Sequence, residues 1–567
     1  MRTYRFVLCF FLTAATLGQP TVSQPAPHDD WWKHAVIYEI YARSFQDSNG
    51  DGSGDINGIT SRLDYLKNLG IGAIWLTPMY PSPGVDYGYD IADYTAIDPQ
   101  YGTLADFDRL VAQAKQRNIR VIMDYVINHT SDQNPWFRES RSSRTNPKRD
   151  WYIWHDGKIG PDGKLGPPNN WQSWFGHSAW TFDSTTKQYY YHYFYPQQPD
   201  LNWRNPEVHQ AMEDVLRFWM KRGVSGFRID AVSRLFEDPN LHDDPYLPGT
   251  NAYGDRNIEH KYTDNLPEVH DVLKEIRAVV DRFPGDPVLI TEADEPNIRE
   301  LTELYGTGNE VQLPMDFQIA DVNRLSATKF RRLFHEIETN TAHGQPEYFF
   351  SNHDQPRQWD RYGDGIHNDQ IAKLMATLLL TMRGTPQMYY GEELGMRTTT
   401  PVRIEDVRDP IGKLGWPKEK GRDGERTPMQ WNASAGAGFT TSPKPWLPIP
   451  SSAADYNVAK EEKNDDSIFS TYRRLLALRQ SEPALRDGTY QAVDEDNPDV
   501  FAYVRKSGAS TILVALNMSA EARTIAVNLG DASTVKPLYR SPDASMAPIQ
   551  LNHLILPPFG VLVAAVR

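Results

Sequence analysis

Three acidic side chains at widely separated points of the sequence could act on one bond. Asp230 ends the segment Gly226–Asp230, Glu292 follows the apolar run Val-Leu-Ile-Thr at 288–291, and Asp354 follows His353. Read with strand periodicity, Arg228 and Asp230 fall on one face of their segment, and Phe227 and Ile229 on the other. An unpaired carboxylate on a buried strand costs several kcal/mol, on the order of 3–5. Arg228, two residues away, is the partner that would keep Asp230 ionised and nucleophilic at neutral pH. Taken alone, an ion pair that merely closes a layer of the fold explains this segment as well. Glu292 has no basic neighbour in sequence and is the better candidate for a carboxyl with a raised pKa that donates a proton. Cleavage of a glycosidic bond with retained stereochemistry needs such a pair, roughly 5–5.5 Å apart. Asp354 would then bind sugar hydroxyls and favour the transition state, with His129 and His353 donating hydrogen bonds.

These residues must sit at the ends of strands. Segments 35–41, 71–76, 119–127, 226–232, 288–293, about 311–317, 348–353 and 386–390 read as strands. Helical patterns lie between several of them, over 59–69, 104–117, 207–221, 268–282 and 369–382. Strands alternating with helices at this spacing give parallel βα units, and eight of them close into a (β/α)8 TIM barrel, an α/β fold. Its active site lies at the C-terminal ends of the strands, where Asp124, Asn128, His129, Arg228, Asp230, Glu292, His353 and Asp354 all fall. The alternation breaks between 130 and 203. This segment is too long and too rich in rings, Trp136, Trp151, Trp154, Trp171, Trp174 and Trp180 among them, for a structureless loop. The expected organisation is a barrel domain over 24–129 and 204–487, an inserted domain over 130–203, and a C-terminal antiparallel β-sandwich over 488–567.

At 567 residues the chain exceeds one core. Its 40% hydrophobic content is that of a soluble globular protein, and its net charge of -15 argues against nucleic acid as a partner. Fifteen Trp and 29 Tyr suit a neutral polar ligand that stacks on rings. Arg2 and Arg5 followed by an apolar run over 6–17 have the layout of a secretory signal peptide ending near Ser23. The only cysteine, Cys9, lies inside it. The expectation is an exported protein, periplasmic or secreted, with no membrane span once the signal is removed; oligomeric state is open.

The segments 124–129 (Asp-Tyr-Val-Ile-Asn-His), Gly226–Asp230, 291–292 (Thr-Glu) and 350–354 (Phe-Ser-Asn-His-Asp) resemble the four signature regions of the α-amylase superfamily, glycoside hydrolase family 13. That resemblance implies Asp230 as nucleophile, Glu292 as acid/base and Asp354 as transition-state stabiliser. The sequences Gln-Pro-Asp-Leu-Asn-Trp at 198–203, Gly-Thr-Pro-Gln-Met-Tyr-Tyr-Gly-Glu at 384–392 and Arg-Thr-Pro-Met-Gln-Trp at 426–431 are similar to the oligo-1,6-glucosidase and α-glucosidase branch. By the same resemblance Tyr89 stacks on the non-reducing glucose while Asp86 and Arg422 grip its terminal hydroxyls, with Arg426 the rival for the arginine role. Ala231, after the nucleophile, stands where this branch tends to carry Val for α-1,6 bonds and Ala or Thr for α-1,4 bonds, which points to α-1,4.

The run at 47–55, Asp-Ser-Asn-Gly-Asp-Gly-Ser-Gly-Asp, offers oxygen ligands at alternating positions and glycine at the turn, as a calcium loop does, but Gly58 stands where an EF-hand has its closing Glu. Branch members bind calcium in this loop, which implies Asp47, Asn49, Asp51, Asp55 and the Ser53 carbonyl as ligands of a structural Ca2+; no organic cofactor is implied. The expected activity is that of a retaining exo-acting α-glucosidase on maltose and short α-1,4 gluco-oligosaccharides. The rivals are a trehalose synthase or transglucosylase using the same covalent intermediate, an oligo-1,6-glucosidase or sucrose hydrolase, and a non-catalytic binding protein on the same barrel.

Overall fold

The computed structural model describes residues 29–160, 163–341, 344–530, 532–542 and 545–566; the signal peptide expected over 1–23 lies outside them. Eight parallel strands form one sheet: β1 (Ile37–Ile40), β2 (Ala73–Leu76), β3 (Arg120–Val126), β4 (Gly226–Asp230), β5 (Val288–Thr291), β6 (Leu313–Pro314), β7 (Glu347–Tyr348) and β8 (Thr385–Tyr389). Their order is β6-β5-β4-β3-β2-β1-β8-β7, and a parallel bridge between Met315 and Glu347 joins the two edges into a barrel.

The alternation of side chains decides what fills that barrel. Ile37, Ala73, Trp75, Ile122, Val288, Ile290 and Leu313 point inward and pack as one apolar cluster, plugged by Trp31 and Trp32. Two residues further along the strands the inward positions become Glu39, Asp124, Arg228 and Gln387, all buried. Tyr38, Phe227 and Ile229 point the other way, into the core beneath the helices. That outer layer is held by helices such as Pro206–Lys221, which starts at an Asn205 cap with proline in its first turn and buries Val208, Met212, Val215, Leu216 and Trp219. Gly226 is required at the base of β4, because a Cβ there would stand 2.2 Å from the carbonyl oxygen of Val288 on β5.

Two strands are shorter than the sequence suggests. β6 stops at Pro314 because Asp316 caps a helix over Phe317–Ala320. β7 stops at Tyr348 because the amides beyond it turn to side chains: His353 N–H donates to Glu39 at 3.1 Å and Asp354 N–H to Asn352 at 2.9 Å. Backbone donors satisfied in this way leave no ladder to continue.

Three excursions leave the strand ends on the same side. Within 130–203 lies a three-stranded antiparallel sheet of Trp154–His155, Gln188–Tyr191 and Trp180–Asp183, packed on rings that include Trp171, Trp180 and Tyr193. The second, 231–268, was not legible in the sequence. Its hairpin, Tyr246–Thr250 with Arg256–Ile258, lies against the first excursion, where Trp171 Nε1 donates to His242 O (2.9 Å) and Gln172 Nε2 to Arg256 O (2.8 Å). The third follows β8 and carries Arg422 and Arg426. From Thr489 onward the chain is antiparallel, with one six-stranded sheet backed by the two-stranded ribbon Arg523–Ile525 and Leu554–Leu556 around Val500, Leu513, Val535 and Leu562. Among the described residues no helix is long and apolar enough to cross a membrane.

Candidate active site

Strand register builds the centre of the site. Asp124 of β3 and Ile290 of β5 both pair with Arg228 of β4, so Asp124 lies beside the guanidinium and Glu292, two residues past Ile290, rises just above it. Arg228 Nη1 donates to Asp124 Oδ1 at 3.1 Å and also to Asp230 Oδ1, while Nη2 meets Glu292 Oε2 at 2.9 Å. Glu292 has no basic neighbour along the chain; its cation comes from the adjacent strand. Arg228 is fully buried and lies under the cavity rather than on its wall, so it acts through these carboxylates and not on substrate directly.

One guanidinium cannot neutralise three carboxylates. Burial pushes Asp124 up to about 6, and pushes Asp230 and Glu292 each up to about 7 against the pull of Arg228. Asp230 and Glu292 titrate as a pair that holds a proton near neutrality. Asp230 has the closer guanidinium contact, which leaves the proton on Glu292, whose second contact is the N–H of Ala231 at 3.2 Å. An ionised carboxylate beside a protonated one is the arrangement that nucleophilic attack with acid assistance requires.

Asp354 is different. Burial alone would raise its pKa, but His353 and the guanidinium groups of Arg422 and Arg426 hold it well below the usual carboxylate range. His353 is pushed down to about 3 by burial and stays neutral, so the lasting share comes from the arginines, Arg422 Nη1 at 2.9 Å and Arg426 Nη2 at 2.6 Å. Arg422 also reaches Asp86 through Nη2 at 2.9 Å and is clamped from behind by Asp409, which takes Nε at 2.8 Å. Arg426 has no such bridge to Asp86 and instead donates from Nε to the carbonyl of His353 at 2.7 Å. The Arg422–Asp86 pair belongs to the wall of a cavity of about 820 Å³, together with Tyr89, His129, Asp230, Ala231, Glu292 and Asp354.

Tyr89 is aimed at this floor by a tight turn. Gly88 sits at φ +116, where a Cβ would stand 2.9 Å from the Pro78 carbonyl oxygen. Its hydroxyl lies 3.1 Å from Asp124 and 2.7 Å from His353 Nε2, and its ring stacks on His353 with centroids 5.4 Å apart. His353 is itself covered, its Nδ1 held by Glu39 at 2.7 Å, so it supports Tyr89 and Asp354 rather than lining the cavity. His129 does line it. Burial lowers its pKa to about 3, and Gln198, whose amide also reaches Asp86, contacts its Nε2 at 2.9 Å. Ala231 holds φ 47, turning the chain sharply out of β4.

Asp409 and Glu39 carry this geometry without any motif to announce them; Gln198 lies in the branch-like run at 198–203 but was not singled out as a site residue. The acidic loop at 47–55 is apart from the cavity. Asp47 accepts the amides of Asn49, Gly50 and Gly52, Asn49 accepts that of Asp51, Asp51 that of Ser53, and Asp55 caps the helix Ile56–Ser61. Its donors are oxygens throughout, suited to a hard cation. Among the described residues no three His, Cys, Asp or Glu side chains stand ready grouped for a metal, so such a site would lean on Asn49 and the Ser53 carbonyl as well as on carboxylates.

Residues 39–488 match the family model described as alpha amylase, catalytic domain. The chain belongs to the α-amylase family, glycoside hydrolase family 13. Residues 490–563 match the C-terminal domain described for maltogenic amylase. A Rhizobium meliloti (strain 1021) protein described as "Probable alpha-glucosidase" is 43% identical over 521 residues, covering 90% of this chain and 93% of that one. An oligo-1,6-glucosidase of Parageobacillus thermoglucosidasius is 40% identical, covering 86% and 90%. An isomaltulose synthase of Erwinia rhapontici NX5, solved with its natural substrate sucrose, superposes with a TM-score of 0.87 at 38% identity, covering 95% of this chain and 99% of that one. The protein is thus a family 13 enzyme of the α-glucosidase and oligo-1,6-glucosidase type, acting on glycosides.

In this family 13 chain the raised carboxyls carry a stability consequence. A carboxyl near 7 in the fold and near 4.3 in the unfolded chain stabilises the fold below about pH 4 and loses that contribution as pH rises to 7. Glu292→Gln removes the group that must be charged while buried. The variant is expected to melt several degrees above wild type at pH 8, with the gap shrinking towards pH 4.5. Thermal melts across pH read this, and a constant gap would show that burial of Glu292 costs nothing.

Proposed function

We propose that the protein is a retaining, exo-acting α-glucosidase that releases glucose from the non-reducing end of maltose and short α-1,4 gluco-oligosaccharides. Asp230 is the nucleophile, Glu292 the acid/base, and Asp354 the group that binds sugar hydroxyls and favours the oxocarbenium-like transition state. The observation that carries the reading is the lock on Arg422, held in the cavity wall between Asp86, Asp354 and Asp409, which we take as the blocked end of the glucose site. A chain cannot pass through it, so only a terminal glucose reaches the carboxyl pair. The small Ala231 beside Asp230 on the cavity wall supports the α-1,4 preference.

Maltotetraose is expected to yield glucose and maltotriose as first products, and maltose in the earliest samples would contradict the exo reading. Glucosyl transfer within the site uses the same intermediate, so chromatography after incubation with maltose, isomaltose, sucrose and trehalose separates hydrolysis from isomerisation and ranks the linkages.

Calcium in the loop at 47–55, and export directed by residues 1–23, belong to the same proposal. Asp47, Asn49, Asp51, Asp55 and the Ser53 carbonyl would hold the ion, which would tie the end of β1 to the segment around Thr440 through Asp47. EDTA is expected to lower the melting temperature by several degrees and added Ca2+ to restore it, with kcat at 25 °C unchanged; a melt indifferent to both removes the ion from the account.

A further inference from the structure

Beneath the cavity a row of side chains runs from β1 to β3. Glu39 Oε1 lies 2.7 Å from His353 Nδ1, His353 Nε2 lies 2.7 Å from the Tyr89 hydroxyl, and that hydroxyl lies 3.1 Å from Asp124 Oδ2. Each of these links needs one proton between its two heavy atoms. A neutral imidazole brings one and a phenol brings one, while ionised carboxylates bring none. With both carboxyls ionised, one link would set lone pair against lone pair in a place closed to water, since Glu39, His353 and Asp124 are all buried.

The surroundings decide where the missing proton sits. The imidazole does not take it, because burial keeps His353 neutral. Asp124 does not take it either: Arg228 Nη1 donates to its Oδ1 at 3.1 Å and Trp75 Nε1 to its Oδ2 at 3.2 Å, and such donors favour the ionised form. At Glu39 the other donors are neutral, the N–H of His353 at 3.1 Å and Nε2 of Gln387 at 3.3 Å. Burial pushes this carboxyl well above the usual range against the pull of that N–H and of Arg228, and Asp354 and Asp124 add to the rise. Asp354 supplies a second, independent sign. Its Oδ2 lies 3.4 Å from His353 Nε2, so that nitrogen faces two oxygens and must carry the ring hydrogen. Nδ1 is then bare and needs a donor, and Glu39 is the group that faces it. The rings of Tyr89, Tyr41 and Trp75, with centroids 5.4, 6.2 and 5.8 Å away, keep the imidazole from turning over to exchange its nitrogens.

We infer that Glu39 is a neutral carboxylic acid and a positioning residue of the active site: its O–H donates to His353 Nδ1, which aims Nε2–H at Tyr89 and Asp354 and turns the Tyr89 hydroxyl onto Asp124. The inference rests on the glucosidase reading for the roles of Tyr89 and Asp354, and adds to it the proton that orders them from below. Asp124, supplied with the Tyr89 O–H, draws less on Arg228 and leaves that guanidinium to Asp230 and Glu292.

Two readouts test it. In the infrared difference spectrum of wild type against Glu39→Gln at pH 7, a carboxylic-acid C=O band should be present in the wild type and missing from the variant, while protonated carboxyls common to both cancel. On maltose, Glu39→Gln, whose amide N–H can serve Nδ1, should stay within about threefold of wild-type kcat/KM, and Glu39→Leu should lose roughly tenfold to a hundredfold. Loss of a carboxylate band instead, an amide variant as poor as the leucine one, or a leucine variant as active as wild type overturns the inference. Should the leucine variant fail to fold, the band decides alone. The infrared readout needs no turnover, so a wild type inactive on maltose would strike the glucosidase reading and still leave Glu39 to be decided by its band.

Discussion

Asp230→Ala is expected to lower kcat on maltose by a factor on the order of 10⁴ or more, with the melting curve showing an intact fold. The side chain lies on the cavity wall at the end of its strand and, unlike Glu292, whose nearest guanidinium atom is Nη2, takes a hydrogen bond from Nη1 of Arg228. Its loss leaves Arg228 two partners, Asp124 and Glu292, so the cation is not stranded. The shortened side chain also opens a space for a small anion. Azide added to the variant should restore turnover and give β-glucosyl azide, the product of direct attack on the face that Asp230 occupied. Turnover within tenfold of wild type, or an α-configured azide, would assign the nucleophile elsewhere.

The second large effect separates the proton donor from the nucleophile. Glu292→Gln should cost roughly 10²–10⁴ in kcat for maltose, whose leaving oxygen needs a proton. Glucosylation by α-glucosyl fluoride should suffer far less, because fluoride leaves without one. The pH profile follows from the same pair. Attack requires Asp230 ionised and Glu292 protonated, and burial brings both to about 7, so kcat/KM should trace a narrow bell whose two limbs belong to the pair. In Glu292→Gln the alkaline limb should disappear for the fluoride. A variant that loses both substrates equally would make Glu292 a support for Arg228 rather than an acid.

The strand ends were readable because their side-chain types conflict with their setting: Asp124, Arg228 and Asp230 are charged residues in segments that otherwise read as buried strand. Alternation placed them on one face, and the closed eight-stranded sheet brought them together. What alternation could not give was the neighbour across the register. Arg228 serves Glu292 through the β4–β5 pairing, and no spacing along the chain shows that. Asp409 was missed for a related reason: it lies in irregular chain after β8 and matters only because Arg422 folds back onto it. The hairpin over 246–258 carries little alternation, with every residue of Tyr246–Thr250 exposed, so its signal was too weak to separate from loop.

Arg228 and His353 show a second limit. His353 was read as a hydrogen-bond donor to the sugar and Arg228 stands in the same motifs, yet both lie beneath the cavity wall and hold other groups in position. A motif records that a residue is needed; the packing around it shows whether it touches substrate or sets what does.

The covalent bond to Asp230 is the centre of the account, and it can be seen directly. Incubation with 5-fluoro-α-glucosyl fluoride, which forms the glucosyl-enzyme quickly and releases it slowly, followed by peptide mass spectrometry, should place the added sugar on the peptide containing Asp230 and on that residue. A label on Glu292, on Asp354, or on no carboxylate while turnover continues would contradict it.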